Sequence, residues 1–451
     1  MKIVGFHSLL NSMRFFIFYF AFTTFLISQE NSSELNTRKW VDSIYNSLSL
    51  EEKIGQLFVN WVSPEQSDFN QIENLVVQQK IGGLIFSIGD PSSHIEWVNK
   101  YQSIAKTPLL IAMDAEWGPA MRLDDVFAYP WNMTLGAIQD NKIVKDISKR
   151  IAEQNKLLGI HYNFSPVVDV NSNPINPIIG NRSFGEDPEN VYQKAKAYIK
   201  GHDEVGIITS LKHFPGHGDT SNDSHKTLPE IKSNLKRLNE VELYPFKKLI
   251  DDNVVSSIMA AHILYPSLDK KYPSSISEKI VKNLLKDKLG FDGLIVTDAL
   301  DMQGVLQDKR INVDLRAFLV GNDILLMSTD VSKGISSISN AYKKGQISEN
   351  RLSSSVKKIL LAKASVNLNK YVPIPSESIL EKLNTTKDTL LYAKAMESAT
   401  TLLKNKDDIV QLDPDKEYLH ISFGENGKYF YNQLNKTHKI DRYDKENYDS
   451  L

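Results

Sequence analysis

Short apolar runs recur between residues 55 and 330, with helix-like periodicity between them. Leu57-Phe58-Val59-Asn60-Trp61 is the first and Gly83-Leu84-Ile85-Phe86 the second. Leu109-Leu110-Ile111-Ala112-Met113, Tyr162-Asn163-Phe164-Ser165-Pro166-Val167-Val168 and Ile207-Ile208-Thr209-Ser210-Leu211 follow. Ser257-Ile258-Met259-Ala260-Ala261, Leu294-Ile295-Val296-Thr297 and Ile324-Leu325-Leu326-Met327 complete the series. Near-continuous apolar runs, without strict alternation, predict parallel strands covered on both faces. Eight strand–helix units over about 250 residues match an α/β fold of the (β/α)8, or TIM-barrel, class. An open doubly wound sheet is the runner-up, but no Gly-x-Gly-x-x-Gly turn follows the first strand, so a dinucleotide fold has no support.

Polar residues stand where these strands end. Asp114 closes the third and Asp169 the fourth. Lys212 and His213 close the fifth, His262 the sixth and Asp298 the seventh. Barrel enzymes carry their chemistry at the C-terminal ends of the strands. One such residue is chance; charged or imidazole groups ending five strands form a pattern.

Pro373 and Pro375 break the chain after a helical stretch through Lys357-Lys358-Ile359-Leu360-Leu361. A helix over about 386–401 is predicted next, then a strand at Tyr418-Leu419-His420-Ile421-Ser422 followed by Gly424. These read as the beginning of a second α/β domain over residues 376–451, after a barrel over 38–370. The piece is shorter than most independent domains. Either it packs on the barrel or the chain belongs to a longer protein. A chain cut near Val372 is expected to keep its fold.

Composition narrows the class. Hydrophobic residues make up 41% and charged residues 24%, as in ordinary globular proteins. A net charge of −2 provides no basic field for nucleic acid or an anionic membrane. The absence of cysteine removes disulfides, zinc–thiolate sites and a cysteine nucleophile. In residues 1–28, Arg14 precedes Phe15-Phe16-Ile17-Phe18-Tyr19-Phe20-Ala21-Phe22, which reads as a secretory signal, with an uncleaved anchor as the alternative. Export to a periplasm or the exterior is expected, with no stable membrane insertion after cleavage.

The densest chemistry is Lys212-His213-Phe214-Pro215-Gly216-His217-Gly218-Asp219-Thr220, running on through Ser221 and Asn222 to Asp223-Ser224-His225. Its proline and glycines predict a loop leaving the fifth strand. Asp223 and His225 lie two apart, close enough for the carboxylate to hold one imidazole nitrogen and favour its protonated form, which makes an acid/base unit. A metal bound by His213, His217, Asp219 and His225 is the competing reading of the same loop. The second centre is Thr297-Asp298-Ala299-Leu300-Asp301-Met302. Asp298, ending a strand, is a nucleophile, a base or an ion-pair partner. Asp301 is expected to cap the next helix.

Together these motifs resemble glycoside hydrolase family 3, in particular its β-N-acetylglucosaminidase branch. Lys212–Gly218 with the downstream Asp223-Ser224-His225 is similar to that branch's Lys-His-Phe-Pro-Gly-His-Gly and Asp-Ser-His signature. Asn181-Arg182-Ser183-Phe184-Gly185-Glu186-Asp187-Pro188, Phe164-Ser165-Pro166-Val167-Val168-Asp169-Val170 and Val296-Thr297-Asp298-Ala299-Leu300 agree in order and spacing. The resemblance covers residues 40–365 and resumes at Leu402-Leu403-Lys404-Asn405. It implies a retaining mechanism with Asp298 as nucleophile and His225, paired with Asp223, as acid/base, where most glycosidases use a second carboxylate. It implies that Asp114, Arg182, Lys212 and His213 hold sugar hydroxyls, that no metal or organic cofactor is needed, and that the substrate is a terminal β-linked N-acetylglucosamine of peptidoglycan fragments or chitin-type oligosaccharides. The third-strand motif departs from the branch. It reads Asp114-Ala115-Glu116-Trp117-Gly118-Pro119-Ala120-Met121-Arg122 in place of Asp-Gln-Glu-Gly-Gly-Arg-Val, so Arg122 is expected to take over the later arginine and Trp117 to reshape the leaving-group side. A metal-dependent hydrolase, a non-catalytic carbohydrate-binding barrel and a phosphorylase remain as rivals.

Overall fold

The computed structural model describes residues 34–221, 228–306, 311–406, 410, 412–422 and 427–443. The expected signal over 1–28 and the Asp223–His225 pair lie outside the described residues.

Eight parallel strands form one sheet: β1 Phe58–Val62, β2 Gly83–Phe86, β3 Leu110–Met113, β4 Tyr162–Asn163, β5 Ile208–Phe214, β6 Ser257–Ala260, β7 Leu294–Thr297 and β8 Leu325–Leu326. Each pairs with its neighbour in sequence, and β8 returns to β1 in the register Phe58↔Leu325 and Val59↔Leu326. The remaining seam closes through a parallel bridge between Val296 and Ile324, with Thr297 N–H donating to the Ile324 carbonyl at 3.1 Å. The sheet has no open edge. The fold is a (β/α)8 barrel, and the open doubly wound alternative is excluded.

The strands are buried on both faces because helices cover the outside while side chains fill the inside. Every residue of β2, β3, β5, β6 and β7 is buried. Full burial of each large apolar side chain stabilises by roughly 1.5–3 kcal/mol. Helices start where the sequence places short polar residues. Asp90 accepts from the N–H groups of Ser92 and Ser93 before Pro91–Ile104, and Asp187 accepts from Asn190 N–H before Pro188–Asp203. In both, proline opens the helix, where its missing N–H costs nothing.

Two strands differ from the sequence reading. β4 stops at Asn163 rather than reaching Val168, because Pro166 has no N–H to donate. Pairing resumes only as a bridge between Val167 and Lys212. β5 runs on to Phe214, so Lys212 and His213 belong to the strand itself rather than following it.

The chain divides into two compact units, one through Ala399 and one from Thr400. The boundary read at residue 376 therefore moves. Helices Ile379–Leu383 and Thr386–Ala399 belong to the barrel unit despite the prolines before them. They bury Ile379, Leu383 and Ala395, and the fully buried Asp388 accepts from Arg150 Nε at 2.7 Å and from the Tyr129 hydroxyl. Arg150 and Gln154 also donate to the carbonyls of Lys382 and Leu383. In the second unit, β9 Glu417–Ile421 pairs in parallel with β10 Lys439–Tyr443, and helix Gly427–Leu434 lies between them in sequence. The sequence reading gave only the first of these strands.

Candidate active site

A cavity of about 580 Å³ opens at the C-terminal ends of the strands. Asp114 from the end of β3, Lys212 and His213 from β5, and Asp298 from the end of β7 all line it. Arg122 and Arg182 reach it from the loops after β3 and β4. Asp114, Arg122, Arg182, Lys212, His213 and Asp298 thus converge on one cavity, whereas Asp169 and His262, also read as polar strand ends, are not among its lining residues.

The charged groups form an alternating chain. Arg122 Nη2 lies 3.0 Å from Asp114 Oδ2, and Lys212 Nζ lies 2.6 Å from Asp114 Oδ1. Lys212 Nζ is also 2.9 Å from Glu116 Oε1, which Arg182 Nη2 approaches at 2.7 Å. Arg182 Nε donates to both Glu116 oxygens, a bidentate grip that fixes the guanidinium plane. Glu116 is fully buried and Lys212 nearly so. Burial alone would raise the Glu116 carboxyl, but Arg182 and Lys212 outweigh it and hold it at about 2. Asp114 is likewise held far below the ordinary carboxylate range: burial opposes ionisation, and Lys212 and Arg122 overcome it. Three cations and two anions leave this chain with one positive charge, beside which stands the Asp298 carboxylate. Such a frame presents fixed donors and acceptors to vicinal hydroxyls.

His213 is set from behind. Its Nδ1 donates to Asp169 Oδ2 at 2.7 Å, which turns Nε2 away from Asp169. Asp169, buried, also accepts from the backbone N–H groups of His213 and His217. Its carboxyl is held below the usual range: burial acts against this, but His213 and the two N–H groups favour the anion. The peptide bond between Lys212 and His213 is cis. The loop then passes Gly216, at φ +137°, a region L side chains avoid. Gly218 lies so close to the strand-four loop that an added Cβ would sit 1.7 Å from the Val170 carbonyl oxygen. Asn173 and Asn176 hold Thr220, the former also reaching Ser221 Oγ at 3.2 Å, and anchor the described end of the loop that continues to Asp223 and His225.

Asp298 is half-buried. Burial pushes its carboxyl up, but the imidazoles of His262 and His213 and the Ala299 N–H, which donates to Oδ1 at 2.9 Å, bring it below the ordinary value. His262 Nε2 donates to the Ala299 carbonyl at 2.8 Å, and its Nδ1 lies 2.6 Å from Ser275 Oγ. Burial lowers the His262 pKa, against the Asp298 carboxylate and the Ala299 carbonyl, which raise it. His262 is therefore a brace for the Asp298–Ala299 peptide rather than a group facing substrate.

Three sequence expectations change. Asp301 caps no helix: the next one among the described residues begins at Val313, capped by Asn312, and Asp301 lines the cavity. Trp117 is not among the cavity-lining residues; its ring stacks on Trp131 at a centroid distance of 4.7 Å. Glu116, read only as a surviving motif residue, is the hub joining Arg182 to Lys212. Sequence reasoning also missed Trp61 at the end of β1 and the apolar wall of Met121, Met259, Met302 and Met327. Trp61 carried a signal in closing the first apolar run; single methionines carried none. In the metal reading, His213 Nδ1 is taken by Asp169, and no group of three or more His, Cys, Asp or Glu residues placed to hold a metal ion occurs among the described residues.

Comparison with known proteins gives the same picture. Residues 49–362 match the glycosyl hydrolase family 3 N-terminal domain. Beta-hexosaminidase A of Pseudoalteromonas piscicida is 31% identical over 397 residues, covering 80% of this chain and 65% of its own. A beta-hexosaminidase of Nitrosomonas eutropha is 34% identical over 233 residues, covering 49% of this chain and 66% of its own. The chain thus spans about two thirds of the length of these relatives. Among solved structures, a glycoside hydrolase family 3 beta-N-acetylglucosaminidase from Paenibacillus sp. str. FPU-7 superposes with a TM-score of 0.75 at 30% identity, over 88% of this chain and 80% of that one. With the family match spanning the whole barrel and the charged site in place at its mouth, the chain belongs to glycosyl hydrolase family 3.

Proposed function

We propose that the protein is a retaining β-N-acetylglucosaminidase that removes terminal β-linked N-acetylglucosamine through a glycosyl-enzyme intermediate. The observation that carries this reading is Asp298: a carboxylate at the end of β7, its pKa held below the ordinary value, lining the same cavity as Asp114, Lys212 and Arg182, the last two joined by the buried Glu116. An Asp298 oxygen bonds to the anomeric carbon as the bond from that carbon to the leaving oxygen breaks, and the leaving oxygen takes a proton from His225. Water then bonds to the same carbon, gives its proton to His225, and the ester to Asp298 breaks. Asp223 orients the imidazole and favours its charged form. Asp114, Lys212, Arg122, Arg182 and His213 bind the sugar hydroxyls. The names carried by the relatives from Pseudoalteromonas and Paenibacillus support the choice of sugar. The apolar run of residues 15–22 supports export, and wall-fragment or chitin-oligosaccharide turnover is the setting we infer.

The test is release of a chromogenic leaving group from a panel of β-glycosides, with and without added phosphate and with a strong chelator. The reading requires turnover of the N-acetylglucosaminide, with free sugar as product and no loss to the chelator. Sugar 1-phosphate as the product would make the protein a phosphorylase. Loss with chelator, restored by zinc or manganese, would favour the metal-dependent rival.

A further inference from the structure

Asp114 and Glu116 both reach Lys212 Nζ, so the shape of the sugar-binding frame depends on how the segment Asp114-Ala115-Glu116 is held. The segment lies just past the last ladder pair of β3 and β4, Met113↔Asn163. Beyond that pair the Asn163 side chain takes the place of a strand. Its Oδ1 accepts the Ala115 N–H at 3.0 Å, and its Nδ2 donates to the Ala115 carbonyl at 3.1 Å. The amide thus pairs with both backbone groups of the residue between the two acids. Each acid is one residue away from a backbone fixed at its donor and at its acceptor.

This pairing leaves one Asn163 N–H, and it meets a histidine. Asn163 Nδ2 lies 3.0 Å from His202 Nε2. A backbone N–H only donates and a carbonyl only accepts, so Ala115 fixes which end of the amide is oxygen. Nδ2 is then a donor toward His202, and Nε2 must accept. The other ring nitrogen agrees. The Ser148 hydroxyl donates to the Tyr198 carbonyl, so His202 Nδ1, 2.7 Å from Ser148 Oγ, carries the ring proton. Burial keeps the ring neutral, with a pKa of about 3 despite the Tyr198 carbonyl, which raises it. Tyr198 stands one turn before His202 on the helix Pro188–Asp203 and stacks on the imidazole at 4.8 Å. Its hydroxyl, 3.4 Å from Asn163 Nδ2, donates to the Glu116 carbonyl at 3.1 Å. Ala115, Glu116, Ser148, Asn163, Tyr198 and His202 are all fully buried. Asn163, Tyr198 and His202 are not among the cavity-lining residues.

A buried donor without a partner is costly, so Asn163 keeps both N–H bonds in place only while His202 presents a bare nitrogen. We propose that Asn163 is a positioning residue for sugar binding, held in register by His202, and that with Tyr198 it sets the Asp114-Ala115-Glu116 segment against Lys212 from behind the cavity. This rests on the glycosidase reading above. The role differs from packing, because it depends on an acceptor at one point and not on the volume of the ring.

Two neutral variants of the full chain separate the acceptor from the bulk. Glutamine brings a carbonyl oxygen to the Nε2 position, whereas asparagine reaches only the Nδ1 position. His202→Asn should raise KM for a chromogenic N-acetylglucosaminide by about tenfold and leave kcat within about threefold, the mark of binding lost equally from ground state and transition state. His202→Gln should keep KM within about twofold of the parent. Both variants remove the ring, so a merely structural role would move them alike. Tyr198→Phe keeps the stack, loses only the hydroxyl, and should raise KM about fivefold. Equal KM in the Asn and Gln variants, whether raised or not, overturns the proposal, as does a loss of kcat with KM unmoved. Where a His202 variant does not fold, Tyr198→Phe decides: a raised KM supports the positioning role and an unchanged KM overturns it. A parent that turns over the N-acetylglucosaminide while KM stays put in the variants overturns the positioning role alone. A parent with no turnover overturns the glycosidase reading and this role with it.

Discussion

The carboxylate of Asp169 holds His213 by two bonds, one to the ring Nδ1 at 2.7 Å and one to the backbone N–H at 3.1 Å. The ring is thereby fixed in both tautomer and direction, although Asp169 is not among the cavity-lining residues. Asp169→Asn keeps the shape but replaces an anion with an amide that either donates toward Nδ1 or presents a neutral oxygen. A charge-assisted hydrogen bond contributes about 1.5–3 kcal/mol. If it is used to hold His213 against a sugar hydroxyl, kcat/KM should fall roughly 10- to 100-fold. The melting temperature should fall only slightly, because the backbone N–H bonds can persist to the amide oxygen. Steady-state kinetics beside a melting curve checks this; an unchanged kcat/KM would show that the orientation of His213 is immaterial.

Glu116 gives a pH prediction of definite sign. Its carboxyl sits at about 2 in the fold against an ordinary 4.5. A depressed folded-state value means that the unfolded chain binds the proton more readily. The stabilisation is fully present above 4.5 and disappears as the pH falls toward 2. Asp114 acts in the same direction. Melting temperature should therefore drop steeply between about pH 5 and pH 2. Glu116→Gln should flatten that slope while lowering stability at neutral pH, because Arg182 and Lys212 lose their shared anion. Parallel curves for the two proteins would show that the ion chain does not govern acid stability.

Much of the barrel was legible because its strands are buried on both faces and so read as unbroken apolar runs. β2 and β7 match the sequence reading residue for residue. The misreadings have local causes. Pro166 truncates β4 although Val167 and Val168 extend its apolar pattern. Asp301 looks like a helix cap because it follows a strand by a few residues, and only the distance to Asn312 shows otherwise. Asp114, Lys212, His213 and Asp298 were readable as polar ends of apolar strands. Asp169 was readable in the same way, but its role as the partner of His213, like that of Glu116 as the link between Arg182 and Lys212, was not, since a buried carboxylate is defined by partners far away in the chain. β10 escaped because Lys439, Asp441 and Arg442 leave only Ile440 and Tyr443 to signal a strand.

Asp388 decides where the barrel unit ends. It is fully buried, accepts two bonds from Arg150, and accepts from the N–H and hydroxyl of Thr385. Asp388→Ala would leave Arg150 buried without its main counter-charge, at a cost of roughly 3–5 kcal/mol. A chain cut after Val372, which the prolines alone suggest is tolerated, would lose this pair together with Ile379, Leu383 and Ala395. It should melt well below a chain cut after Ala399. Equal melting temperatures for the two truncated chains would place the boundary back at the prolines.

The assignment of Asp298 and His225 is tested by their different dependence on the leaving group. Asp298→Ala should lose nearly all activity on every substrate, because no covalent intermediate can form. His225→Ala removes only the proton donor. A dinitrophenolate leaves with little protonation, so the first step should be nearly spared. A natural sugar alkoxide needs the proton, and a general acid contributes about 10²- to 10⁴-fold. The second step needs the same imidazole as base, so on an activated substrate the variant should show a burst and accumulate sugar on Asp298. Asp223→Ala should show a milder form of the same behaviour, since the ring stays but loses its orienting charge. Intact-mass spectrometry of His225→Ala with an activated or fluorinated glycoside, followed by peptide mapping, reads the adduct directly. An adduct on Asp298 establishes nucleophile and acid/base together. Equal loss on activated and natural glycosides, with no adduct, would remove His225 from the acid/base role while leaving the ion-paired sugar frame of Asp114, Lys212, Glu116 and Arg182 untouched.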